Sequence, residues 1–165
     1  MGELLKNRVY MFWGVLLVIL ASEILRADET ASLILTGTVP QAYSLDVEAL
    51  PKATQLNIAG GESRQLVAIV RERSNVSTGY IVRVSSANNG VLAHESGLSE
   101  HIPYQITYDG KSSLRPSANP TSVKSTNVLS NPVDHRSPVE ITFVGRRSAM
   151  AGVYSDTLTF EITAP

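Results

Sequence analysis

Three histidines, His94, His101 and His135, are the only imidazoles in the chain. His94-Glu95 with His101 offers ligand types that hold zinc-like cations, and Asp134-His135 with a nearby serine would begin a hydrolase relay. Neither has the frame that such chemistry needs. No helical pattern sets two ligands one turn apart, and no G-x-S-x-G turn presents a nucleophile. The reading is three surface-loop histidines, with no catalytic residue, metal ligand or cofactor contact expected. The absence of cysteine removes disulfide frameworks, thiolate metal centres and thiol catalysis together. Fourteen basic against fifteen acidic residues give a formal net charge of −1, which argues against nucleic acid, because phosphate binding needs a positive field.

The other polar features are equally plain. Arg71-Glu72-Arg73 reads as a solvated strand end that discourages wrong pairing. Arg146-Arg147 reads as a solvated turn rather than an anion site. Asn75-Val76-Ser77 fits a glycan acceptor pattern and is given no role. Asp109-Gly110 is a turn with too few carboxylates nearby for calcium. Asp156 is the one acid on an otherwise apolar strand face, expected to bond turn backbone near Gly152.

The elements that carry these residues are strands. At 43% hydrophobic, 18% charged and 6% aromatic, the 165 residues fit one domain and exclude a disordered tail or coiled coil. Apolar residues recur with period two, between Gly, Pro, Asn and Ser clusters. Residues 31–39 are extended, ending at Pro40. Tyr43, Leu45 and Val47 share a face, residues 64–71 are strongly apolar, and Tyr80, Val82 and Val84 alternate along 78–85. Asn88-Asn89-Gly90 marks a turn. Ile102, Tyr104, Ile106 and Tyr108 share one face, and 139–143 alternates. Residues 152–162 place Tyr154, Asp156, Leu158, Phe160 and Ile162 in one register. Residues 112–138 read as a long loop with one short strand near Val128 and Leu129. Six or seven strands without a helix indicate an all-β antiparallel sandwich.

The N-terminus reads as an export signal: Lys6 and Arg8 precede an apolar run over 9–20, too short for a bilayer span of roughly 20 residues. Small residues at Ala21, Ser22 and Ala27 place a cut after residue 27, with an uncleaved anchor as the alternative. The expected organisation is a signal over 1–27, an N-terminal extension over 28–40 and a sandwich domain over 41–165.

Asn75-Val-Ser-Thr-Gly-Tyr-Ile-Val-Arg-Val-Ser-Ser-Ala-Asn-Asn-Gly90 resembles the GY-x-V-x-x-SSANGG segment of spore coat protein U-like domains. Pro103-Tyr-Gln-Ile-Thr-Tyr-Asp109 is similar to their L-x-Y-x-L-Y-x-D strand, and residues 152–162 to their terminal G-x-Y-S-D-T-V-T-V-x-V strand. These domains are related to pilus subunits built by the chaperone–usher route. The cysteine pair usual in many such subunits is absent, and 112–138 matches none of the family's patterns.

The resemblance implies an immunoglobulin-like, Greek-key sandwich lacking its last strand. It also implies export to the bacterial periplasm or cell surface, with identical or related subunits, a periplasmic assembly chaperone and an outer-membrane usher as partners. The strand count read from the sequence ends in the same way, with nothing after Ile162 to supply a seventh strand. About four uncovered core side chains would forgo about 6–12 kcal/mol, comparable to a domain's whole stability of about 5–15 kcal/mol. A strand from another molecule would restore it. The candidate donor face is Leu33, Leu35, Gly37 and Val39. The candidate acceptor groove is Leu45, Val47, Leu158, Phe160 and Ile162. If residues 31–39 are instead the domain's own first strand, only Asp28 to Thr30 remain as a tail, too short to donate. A compromise has 29–37 donating and the first strand starting near Gln41. The competing function is a self-complete binding module that uses loops 86–100 and 112–138 as its contact surface.

Overall fold

The computed structural model describes residues 31–165 except Leu98 and Ser112. The expected export signal over 1–27 lies outside the described residues. All the strands fall within the compact unit Thr38–Pro165. They are β1 (Tyr43–Ala49), β2 (Gly61–Ser74), β3 (Ile81–Ser86), β4 (Val91–His94) and β5 (His101–Pro103), then β6 (Gln105–Tyr108), β7 (Thr121–Ser125), β8 (Val133–Val144), β9 (Tyr154–Ser155) and β10 (Leu158–Thr163). A single 3₁₀ turn, Pro51–Thr54, is the only helical piece among the described residues. Every pairing is antiparallel, in the orders β1-β2-β8-β6, β10-β3-β7 and β5-β4-β9. The protein is all-β, in an arrangement consistent with a β-sandwich.

Period-two alternation builds the core, because successive strand side chains point to opposite faces. β3 buries Val82 and Val84, β8 buries Val139, Ile141 and Phe143, and β2 buries Ala68 and Val70. Ile102, Tyr104, Ile106 and Tyr108 are all buried, as their shared register requires, although the chain divides there into β5 and β6. In β2 a register shift between Leu66 and Ala68 buries the adjacent Val67 and Ala68 together, which plain alternation forbids.

Several sequence expectations change. Residues 31–42 carry no strand, and the first strand begins at Tyr43. The expected strand at Val128 and Leu129 is absent; Val128 is exposed, and the strand of that region is β7. The supposed loop over 112–138 also holds the first half of β8, whose Asp134 and Arg136 alternate outward and lack an apolar signal. β4 lies inside the supposed loop 86–100. Arg71-Glu72-Arg73 does stand at the end of β2, but not as a solvated edge: β1 and β8 pair with it on both sides, and Glu72 is buried. The two arginines face out in a ladder of ion pairs, Arg71 and Arg73 to Asp134, Arg73 to Asp46 and Arg136 to Glu48. Such exposed pairs add little stability each, and their alternating signs favour this strand register.

Candidate functional site

β1 ends one sheet and β10 ends another, and no backbone ladder joins them. Between them opens a groove of about 640 Å³. Val47 and Ala49 of β1 form one wall, Leu158 and Phe160 of β10 the other, and Val67, Ala68, Val139 and Ile141 line the floor. The 3₁₀ turn and the segment after it add Ala53, Leu56 and Ile58. Pro51 opens that turn, where its missing N–H costs nothing.

Three of the five residues expected in an acceptor groove therefore line it: Val47, Leu158 and Phe160. Leu45 and Ile162 instead sit partly buried against the core on the same two strands. Val47 remains 50% exposed, although it belongs to an apolar strand face. The candidate donor residues Leu33, Leu35 and Val39 are 81–85% exposed, as is Ile34 on the alternate face. Gly37 has open space around it.

One end of the groove is polar and pinned by Asp156. Its Oδ2 accepts from Ser86 Oγ at 2.6 Å and Tyr104 Oη at 2.6 Å, and its Oδ1 from the N–H groups of Asn88 at 3.0 Å and Thr157 at 2.7 Å. The carboxylate thus binds the turn at Asn88, not the backbone near Gly152. With four donors it is saturated, and its part is to hold β9–β10 against the β3–β4 turn. Burial and the Asp156 carboxylate push the Tyr104 hydroxyl upward, so it stays protonated and donating.

The second polar centre was not legible as one. Glu72 has no exposed surface. Its Oε1 accepts from Tyr108 Oη at 2.5 Å and Ser137 Oγ at 2.5 Å, and its Oε2 from Tyr80 Oη at 2.6 Å and Lys124 Nζ at 2.9 Å. Lys124 also reaches Asp109 Oδ2 at 2.9 Å, and His135 Nε2 meets Asp109 Oδ1 at 3.2 Å. Burial pushes the Glu72 carboxyl upward, but the Ser137, Tyr108 and Tyr80 hydroxyls and the Lys124 ammonium outweigh it, leaving it below its usual 4.5. The cluster ties β2 and β8 of one sheet to β7 of another. The only sequence signal for it was a glutamate whose register matches the buried Val70.

The histidines do not converge. His94 is buried on β4, packs edge-on against Tyr154 and bonds Ser96 Oγ at 2.7 Å, which corrects its surface-loop reading. His101 and His135 lie exposed on β5 and β8, strands rather than loops. Among the described residues no three His, Cys, Asp or Glu side chains could hold a metal ion. Asn75 uses its side-chain amide to brace the chain, donating to Pro40 O and accepting from Ala42 N–H. Arg146 pairs with Glu100 at 3.3 Å.

An all-β domain with one open apolar groove between two strand edges is the class these features define. Among known proteins, no family model and no curated protein matches the chain.

Proposed function

We propose that the chain is an exported structural subunit of a bacterial pilus or surface coat, polymerising by donor-strand complementation. The sandwich is immunoglobulin-like with Greek-key connections, and the strand it lacks belongs between β1 and β10. The observation that carries this reading is the groove: two strand edges, with no ladder between them, flank an apolar trough. Unpaired edges and uncovered apolar walls are normally blunted or covered. An added strand would meet both needs at once, since main-chain bonds supply affinity and alternate side chains fill the trough.

The occupant is residues 31–39 of another copy. These nine residues span about 30 Å when extended at about 3.3 Å each, enough to run along the six residues of β10. Leu33, Leu35 and Val39 on one face would contribute about 1.5–3 kcal/mol each on burial. Head-to-tail joints of this kind do not close, so they build a filament. Before assembly a periplasmic chaperone would cover the trough, and an outer-membrane usher would exchange it for the next subunit.

The experiment is size analysis of the periplasmic protein with and without a co-expressed assembly chaperone. Partner-dependent solubility and chaperone-free polymers support the reading. A monomer that melts cooperatively alone and never polymerises overturns it, in favour of a self-complete binding module.

A further inference from the structure

Among the described residues, Lys124 carries the one ammonium buried between two carboxylates. Its side chain is 9% exposed, and Nζ lies 2.9 Å from Asp109 Oδ2 and 2.9 Å from Glu72 Oε2. Asp109 is firmly held. It sits in the left-handed region at φ 52°, its N–H donates to Pro138 O at 2.9 Å, and the next turn closes from Lys111 N–H to Tyr108 O at 3.0 Å. His135 approaches its other carboxylate oxygen. Glu72 is fixed by three hydroxyls and has no exposed surface.

From this geometry we propose that Lys124 and Asp109 join in an intramolecular amide bond that the folded protein forms by itself, with Glu72 as the base. Glu72 takes a proton from the ammonium, and the freed amine attacks Asp109 Cγ. His135 Nε2 lies 3.2 Å from Asp109 Oδ1, the oxygen on which charge develops. The new C–N bond forms as one C–O bond of Asp109 breaks. That oxygen leaves as water with two of the three ammonium protons, so the positive and negative charges cancel and nothing is oxidised or reduced. Asp109 is 22% exposed, which gives the water a way out.

Two conditions favour the step. The reacting groups are held in contact, which replaces an encounter with an effectively intramolecular reaction. The starting ion pair is desolvated and the product is neutral, so burial penalises the reactants more than the amide. The bond would tie the end of β6 to β7, which belong to different sheets, in a chain that has no cysteine for such a brace. It stands whether or not the groove takes a donor strand.

The test is mass spectrometry of the purified full chain and of its tryptic digest. The expected product is one water lighter than its sequence, and its digest holds a branched peptide carrying both Asp109 and Lys124. Lys124→Arg and Asp109→Ala have full mass and linear peptides, and Glu72→Gln slows or abolishes the loss. A folded wild-type chain at full mass with separate linear peptides overturns the proposal. So does a water loss that persists in Lys124→Arg and yields to hydroxylamine, the mark of a succinimide at Asp109-Gly110. If a variant fails to fold, the wild-type digest decides alone.

Discussion

Replacing Leu35 with Asp separates folding from assembly. Leu35 is 85% exposed in the single chain, so the substitution leaves the domain's own stability within about 0.5 kcal/mol. In a neighbour's groove the same change removes about 1.5–3 kcal/mol of apolar burial and adds several kcal/mol for an unpaired carboxylate. A total of about 4 kcal/mol or more makes each joint about a thousandfold weaker, at about 1.4 kcal/mol per tenfold. Ile34→Asp is the matched control: Ile34 is equally exposed, at 85%, but it alternates onto the other face. The assay is the polymer length distribution of the purified protein, by light scattering after size separation. Leu35→Asp is expected as dispersed subunits, and Ile34→Asp as polymers. Normal polymers from Leu35→Asp, or equal loss in both variants, would refute the assignment of that face.

Two further outcomes follow from the domain itself. Gly79 has φ +88°, and a Cβ there would meet the carbonyl oxygens of Thr126 and Asn127, so Gly79→Ala costs about 2 kcal/mol or more and lowers the midpoint of a thermal melt by several degrees. Acid should weaken the fold through Glu72, whose folded carboxyl lies below its usual 4.5. Its unfolded form binds the proton first, so stability is fully present above 4.5 and is lost as pH falls through the lower folded value. Melts at stepped pH read this as a midpoint falling below about pH 4.5, and a flat profile across that range contradicts it.

What the residues disclosed in advance was alternation, and it failed where polarity and burial part company. His101–Tyr108 and Thr78–Ser85 have apolar side chains on one face, and those faces are the core. β7, Thr-Ser-Val-Lys-Ser, has a single apolar residue; its other inward side chain, Lys124, is satisfied by acids from distant segments. The same long-range satisfaction hid Glu72, which local charge made look like a solvated strand end. The groove walls on β1 and β10 were legible because both strands alternate. The lining added by Leu56 and Ile58 was not, because they lie in the segment between the 3₁₀ turn and β2, and only the folded chain brings them to the groove.

The most direct measurement uses the natural absence of cysteine. One chain carrying Leu35→Cys is co-expressed with another carrying Val47→Cys, Leu158→Cys or Phe160→Cys, and disulfide-linked pairs are resolved by mass. The account predicts mixed pairs joining residue 35 of one chain to a groove wall of the next. Polymers that form while every such pair of cysteines stays unlinked under oxidising conditions would contradict it.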